Sequence, residues 1–325
     1  MIGIADIELA ARRLDGVAVC TPLLRNSELD DTAGGTVLVK PECLQLTGSF
    51  KIRGAYNFLS QLSPEEAQRG VVAFSSGNHA QGVAAAGTML GIRTAIVMPE
   101  DAPRAKLDNT RRLGGEVITY DRYTGDREAI ARDLAAERGA VVVPSYDHEY
   151  IIAGQGTVGL EIAQQCNDLG IVPDQVLVNC GGGGLISGSA TALKANYPDV
   201  AVHPVEPEGF DDTARSLRSG KREHVDPKAR SICDALQAYS PGEMTFAINR
   251  KLLAEGLVVS DAEVRAAMRF AFLNLKLVVE PGGAAALAAL LSGKLETRDR
   301  TTVVVISGGN VDAELFAEIQ REDSG

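Results

Sequence analysis

Val71-Val72-Ala73-Phe74-Ser75-Ser76-Gly77-Asn78-His79-Ala80 decides the fold. Val71–Phe74 is apolar with no polar alternation, the pattern of a strand buried on both faces. A polar turn follows, and then an Ala/Gly-rich run from Ala80 to Leu90 that reads as a helix. The rhythm repeats outward: Thr94–Met98, Glu116–Tyr120 and Ala140–Val143 read as strands, with Lys106–Leu113 and Asp126–Arg138 as helices between them. Strands alternating with helices predict parallel sheets flanked by helices, an α/β fold.

Upstream, Asp6–Leu14 reads as an amphipathic helix and Thr36–Lys40 as a strand. Then comes Thr47-Gly48-Ser49-Phe50-Lys51-Ile52-Arg53-Gly54-Ala55, a turn-like segment that opens a helix expected to reach about Leu62. Lys51 stands between strand and helix, with Phe50 and Ile52 beside it. Burial there would lower its pKa and free its amine as a nucleophile or Schiff-base former; the alternative is a surface loop lysine. Ser63-Pro64-Glu65-Glu66 is a helix start.

Downstream, Ala153-Gly154-Gln155-Gly156-Thr157 reads as a glycine-containing connection before a helix over Val158–Cys166. Gln175–Asn179 is a strand, followed by Gly181-Gly182-Gly183-Gly184, a helix over Ser187–Asn196 and a strand over Val200–Val205. Glu206–Ser240 is polar and irregular. Ser260 and Glu263 form a capping box for a helix running to about Leu275, Pro281 and Gly293 bracket another, and Thr302–Ile306 is the last strand.

The 325 residues suffice for two domains or one large one. A net charge of -11 argues against nucleic acid and against an anionic membrane surface as partners. The five cysteines form no C-x-x-C pair, so neither a disulfide framework nor zinc is indicated, and reduced thiols in a cytoplasmic chain are expected. No H-E-x-x-H spacing, signal peptide or bilayer-length apolar run is seen. A homodimer is the expected assembly.

Three loops follow strand ends, where open α/β sheets bind ligands. Gly181–Gly184 would let backbone amides approach an anion at a helix N-terminus. Glu206, at the end of the next strand, keeps a dinucleotide alternative open, but the G-x-G-x-x-G spacing fails; a structural glycine turn is the third reading. Ser75-Ser76-Gly77-Asn78-His79 would hold a substrate carboxylate or simply cap a helix. Ser307-Gly308-Gly309-Asn310 supplies a hydroxyl or is a plain turn. An amine, a phosphate cradle, a carboxylate site and a hydroxyl are the parts that pyridoxal phosphate needs in an amino-acid enzyme.

At these motifs the chain resembles the threonine/serine dehydratase and serine racemase family, fold-type-II pyridoxal-phosphate enzymes of the tryptophan synthase beta-like architecture, across nearly its whole length. The resemblance implies two domains: residues 1–62 plus 148–325 as a large cofactor-binding domain, and 63–147 as a small mobile one. It implies that Lys51 holds the cofactor as a Schiff base beside Phe50, that Asn78 meets the ring hydroxyl, and that Gly181, Gly182, Gly183, Gly184 and Leu185 hold the phosphate. Ser307 would face the ring nitrogen, and Ser75, Ser76, Gly77, Asn78 and His79 would receive the substrate.

Ser76 matches the second base of the racemases, so racemisation is the alternative activity. Glu206, Asp212 and the Phe210 carbonyl match the family's site for magnesium, calcium or manganese, with Asp211 between; a solvated acidic loop is the plain reading. The expected reaction is dehydration of a 3-hydroxy amino acid of the threonine or serine type to a 2-oxo acid and ammonia.

Arg127 matches a position that can meet a distal carboxylate, which would admit 3-hydroxyaspartate; a helix-surface arginine is the alternative. Ala235, where a glycine is usual, and Tyr239-Ser240-Pro241 depart from the pattern, which would suit a bulkier substrate such as phenylserine. No regulatory domain, and hence no feedback control of the biosynthetic dehydratase kind, is expected. A non-catalytic ligand-binding module of the same fold is the reading outside enzymology.

Overall fold

The computed structural model describes residues 2–75, 77–102, 104–121 and 124–322. The strands are β1 (Leu24–Arg25), β2 (Thr36–Pro41), β3 (Val71–Phe74), β4 (Thr94–Pro99), β5 (Glu116–Tyr120), β6 (Val141–Val142), β7 (Gln175–Asn179), β8 (Ala201–Pro207), β9 (Leu257–Val259) and β10 (Thr301–Ile306). They form two sheets, one in the order β1-β2-β10-β7-β8-β9 and one in the order β5-β4-β3-β6.

Every pair is parallel except β1 with β2. The central strand β10 aligns Val303 with Leu38 on one side and Val176 on the other. The fully apolar strands are explained by helices on both faces: Val304 packs into one cluster with Ala285 and Leu287, while Val303 and Val305 pack into another with Ile162 and Ile186.

The helix Lys51–Leu59 is shorter than the sequence suggested. It ends where Ser60 N–H bonds back to the carbonyls of Tyr56 and Phe58, before the Ser63–Glu66 capping box starts the next helix. Its apolar residues Ile52, Ala55, Phe58 and Leu59 join Val71 and Ile96 of the four-stranded sheet and Val83 of the helix Asn78–Leu90 in one cluster. The helix Asn78–Leu90 lies directly against it, because a Cβ at Gly82 would come within 3.0 Å of the Lys51 backbone.

The connection expected at Ala153–Thr157 is instead the middle of one helix, Glu149–Asp168. Its glycines are contact points rather than breaks. A Cβ at Gly154 would lie 2.4 Å from the Arg53 carbonyl, and one at Gly156 would lie 2.9 Å from Gly188 Cα. The helices Glu149–Asp168 and Gly184–Asn196 therefore pack backbone to backbone. The polar stretch 206–240 contains a helix, Asp212–Ser219, whose first N–H groups are held by Glu206. The helix after Ser260 runs regularly to Phe270 and continues as a π-helical turn, Ala271–Leu275.

Candidate active site

The site collects at the C-terminal ends of β2, β3, β7 and β10. After β2 the chain makes two 3-10 turns, with Thr47 in the left-handed region at φ 62. This loop is stitched to the one after β10: Phe50 N–H donates to the Ser307 carbonyl, Gly309 N–H to the Gly48 carbonyl, and Asn310 Nδ2 to the Thr47 carbonyl. Lys51 emerges at the first helical position, with Phe50 as N-cap. Its Nζ donates to the Ser145 carbonyl at 2.8 Å and lies 5.2 Å from the Phe50 ring centroid. Burial pulls its ammonium down from 10.5 to about 8, with the Glu280 carboxyl opposing. The amine is thus available near neutral pH.

The lysine helix is anchored by buried charge. Arg53 donates to Glu42 and Glu161, and Lys40, fully buried on β2, donates to Glu161 at 2.6 Å. Nothing local in the sequence signals this cluster, because Glu161, which joins Lys40 and Arg53, lies 121 and 108 residues from them.

The glycine run has no room for side chains. A Cβ would meet the Tyr146 ring at 2.4 Å from Gly182, Asn249 Nδ2 at 2.9 Å from Gly183, and Gln155 Oε1 at 2.5 Å from Gly184. Gly183 also has φ 95. Thr245 Oγ1 donates to the Gly182 carbonyl, and Ser187 Oγ to Asn249 Oδ1, so the helix Glu243–Leu252 buttresses the loop. The helix that starts at Gly184 presents the free N–H groups of its first turn, including that of Leu185. Gln155 Oε1 and Asn249 Nδ2 are buried beside the loop without partners. Neither is expected at the site from the sequence, where Gln155 belongs only to the connection read over Ala153–Thr157.

Asn78 opens its helix and sits between two groups. Its Nδ2 donates to Glu280 Oε1 at 2.5 Å, and its Oδ1 accepts from Asn310 Nδ2 at 2.7 Å. Glu280 is buried, and burial together with Asp234 pushes its carboxyl up to about 7. In the sequence Glu280 looked like nothing more than the residue before a helix-starting proline. Ser307 directly follows β10 with only 5% exposure, and its Oγ accepts from Asn179 Nδ2 at 2.9 Å.

Ser75 Oγ accepts from Gly77 N–H, which shapes the turn after β3; Ser76 lies outside the described residues. His79 points into the core. Its Nε2 lies 3.2 Å from the Val143 carbonyl, and burial pushes it down to about 3, so it carries no charge at neutral pH. Arg127 starts the helix after β5, and its guanidinium lies 5.8 Å from the Phe74 ring centroid, beside the end of β3. Of the departures noted in the sequence, Ala235 packs at the start of the helix that follows Glu280, where its Cβ would meet a Cβ at Gly282 at 3.1 Å, whereas Tyr239 is 64% exposed.

Glu206 and Asp212 are both buried. Glu206 accepts from the N–H groups of Thr213 and Ala214. Both carboxylate oxygens of Asp212 lack any partner, and burial pushes this group up to about 7. Asp211 turns away to Arg215 at 3.2 Å. Among the described residues no cluster of three or more His, Cys, Asp or Glu side chains is arranged for a metal. The two carboxylates would need the Phe210 carbonyl and water to complete a shell.

A buried amine at lowered pKa, an amide cradle closed to side chains and a buried hydroxyl fit pyridoxal phosphate. The comparisons agree. The family model described as "Pyridoxal-phosphate dependent enzyme" matches residues 15–308. The chain is 45% identical to the L-threo-3-hydroxyaspartate ammonia-lyase of a Pseudomonas species, over 97% of this chain and 98% of that one. It is 41% identical to the L-threonine ammonia-lyase of Thermotoga maritima, over 98% of this chain and 78% of that one. The structure of maize serine racemase superposes with a TM-score of 0.92 at 37% identity, covering 98% of this chain and 96% of that one. The chain belongs to the pyridoxal-phosphate dependent enzymes, in the group that holds the threonine and hydroxyaspartate ammonia-lyases and the serine racemases.

Proposed function

We propose that the protein is an ammonia-lyase that converts a 3-hydroxy amino acid to a 2-oxo acid and ammonia. The observation that carries this is the Lys51 amine, buried and brought down to about 8, beside a loop built to hold phosphate. When bound, the cofactor supplies the electron sink that makes the α-proton of an amino acid acidic. Lys51 Nζ would hold the cofactor, and its amine is the group placed to take that proton as general base. The first-turn N–H groups from Gly184 and Leu185 hold the phosphate, and Asn78 orients the ring. Ser75, Gly77 and the residues beside them receive the substrate carboxylate.

Among substrates, 3-hydroxyaspartate is favoured over threonine, serine and phenylserine. Arg127, at the start of the helix after β5, brings its guanidinium beside Phe74 at the end of β3, next to the turn expected to bind the substrate, where its charge could meet a second carboxylate. The likeness to the Pseudomonas L-threo-3-hydroxyaspartate ammonia-lyase, at 45% identity, supports this choice. Glu206 and Asp212, with the Phe210 carbonyl, would take magnesium, calcium or manganese, since oxygen donors suit these ions. Residues 63–147, which carry the whole four-stranded sheet, would move as a small domain against a homodimeric large one.

The test is to load the protein with pyridoxal phosphate and supply threo-3-hydroxyaspartate, threonine, serine and phenylserine, measuring oxo acid and ammonia. Release from at least one of them, abolished in Lys51→Ala, is the expected result; cofactor binding without turnover of any would remove the lyase reading. Racemisation is the second reading, favoured by the superposition on maize serine racemase. It would show as D-isomer formation that depends on Ser76.

A further inference from the structure

Asn179, the last residue of β7, is buried 3.2 Å or less from four polar groups that fix its amide completely. Its Oδ1 accepts from Ala286 N–H at 2.6 Å. Its Nδ2 faces the carbonyls of Gly283 at 2.9 Å and Val305 at 3.2 Å, and Ser307 Oγ at 2.9 Å. A backbone N–H can only donate and a carbonyl can only accept, so the amide has one possible orientation. Its two amide hydrogens are matched best by the two contacts at 2.9 Å, the Gly283 carbonyl and Ser307 Oγ, with the Val305 carbonyl the more distant third, so Asn179 donates to Ser307.

That fixes the direction of the next bond. The Ser307 hydroxyl uses a lone pair to accept from Asn179, and no acceptor for its own hydrogen is found among the described residues. The hydroxyl is almost fully buried, so its hydrogen points at whatever occupies the site. We propose that Asn179 is a positioning residue that fixes Ser307 as a hydrogen-bond donor, so that the group facing it is held as an unprotonated acceptor.

This rests on the reading of the site above, in which that group is the cofactor's ring nitrogen. A serine that was free to turn could accept from a protonated ring as readily as donate to a neutral one. With Asn179 in place a protonated ring could use only the hydroxyl's second lone pair and would leave the serine hydrogen unpaired, so the neutral ring is the better match. A neutral ring is the weaker electron sink, which favours elimination over transamination.

The experiment loads the protein with pyridoxal phosphate carrying nitrogen-15 in its ring and reads the nitrogen resonance at pH 8. Two variants are compared with the original chain. Asn179→Asp has the same shape but, when ionised, accepts from Ser307 and so reverses the bond; Asn179→Leu cannot donate at all. The original chain should show the unprotonated ring resonance. Asn179→Asp should move it toward the protonated position, with the ratio of transamination to elimination raised about tenfold, the factor that corresponds to about 1.4 kcal/mol. Asn179→Leu should give an intermediate resonance.

A protonated ring in the original chain, or a neutral ring unchanged in both variants, would overturn the proposal. If the original chain took up no cofactor, the reading of the site would fall instead, and the two failures are told apart by the absorbance of the loaded protein.

Discussion

Arg53 holds Glu42 with two parallel bonds, Nε to Oε2 at 2.7 Å and Nη2 to Oε1 at 2.8 Å, and neither side chain is more than 1% exposed. The other edge of the guanidinium reaches Glu161, which also takes Lys40. Because Arg53 is two residues beyond Lys51, this cluster locks the helix that carries the reactive amine onto the floor of the larger sheet. Burial alone would push the Glu42 carboxyl up, but the Arg53 guanidinium outweighs it and holds the group below its ordinary value. Glu42 therefore contributes stability that is present above its unfolded pKa of about 4.5 and is lost as pH falls through the lower folded value. Glu42→Gln, which leaves the buried guanidinium under-paired, should cost about 3 kcal/mol in chemical denaturation at pH 7. Its deficit relative to the original chain should shrink in acid; a constant deficit would show that charge is not the cause.

Lys51 should be reactive well below the ordinary lysine range. In the cofactor-free protein, labelling at Lys51 by an amine reagent should rise with a midpoint at about pH 8, against 10.5 for surface lysines followed by peptide mapping. The direction for Glu280 follows from charge: its carboxylate favours the ammonium form, so Glu280→Gln should move the Lys51 midpoint lower still. Glu280 itself lies among Lys51, Lys106 and Asp234. A midpoint that stays near 10.5 in the original chain would mean that the amine is hydrated.

The helix crossing beneath the glycine loop gives a test in which two effects oppose each other. Gly188→Ala gains about 1 kcal/mol of helix propensity. The new Cβ, however, would stand 2.3 Å from the Ile152 carbonyl and 2.6 Å from Gly156 Cα, both backbone atoms that cannot swing aside. Overpacking of this kind costs about 1–3 kcal/mol, so the net effect should be destabilising, with weaker cofactor retention because the helix N-terminus at Gly184 shifts. A denaturation midpoint at or above that of the original chain would show that the crossing is looser than these distances imply.

Eight of the ten described strands were legible because they are short β-branched runs with turn residues near their ends, whereas β1 (Leu24–Arg25) and β9 (Leu257–Val259) are too short to leave such a pattern; the three ligand loops were legible because they follow legible strands. The helix Glu149–Asp168 was misread for a physical reason. Glycine inside a helix normally signals a break, and only the approach of Gly188 and the Arg53 backbone explains Gly154 and Gly156. Asn179 and Glu280 were missed for another. Each is a single polar residue at the end of an apolar element, which locally looks like a cap. Their partners lie far along the chain: Asn78 and Glu280 are 202 residues apart, and Asn179 and Ser307 are 128. His79 was grouped with the substrate turn by position in the sequence, although its helix turns it toward Val143.

Asp212 has two buried carboxylate oxygens with no partner, an arrangement that costs stability unless something binds there. A divalent cation should supply that partner. Magnesium, calcium or manganese at roughly 100 times Kd should stabilise the fold by about 2.7 kcal/mol, seen as a raised unfolding midpoint relative to chelator-treated protein. Asp212→Asn should abolish the cation response. If none of the three ions shifts the original chain, the acidic pair is structural.

Arg127 separates the substrate readings. Its guanidinium is parked against Phe74 at the end of β3, close to the turn that would bind the α-carboxylate, so a second carboxylate on the β-carbon would fall to it. A hydrogen bond to a charged group contributes about 1.5–3 kcal/mol, which is roughly a 10- to 100-fold change in rate. Arg127→Met keeps the stacking bulk but removes the charge. It should lower kcat/KM for threo-3-hydroxyaspartate by that factor while leaving serine and threonine turnover nearly unchanged, since neither has a second carboxylate for Arg127 to meet. Equal losses for all three substrates would place Arg127 in the fold of the small sheet rather than in recognition, and the choice of hydroxyaspartate would then lose its structural support.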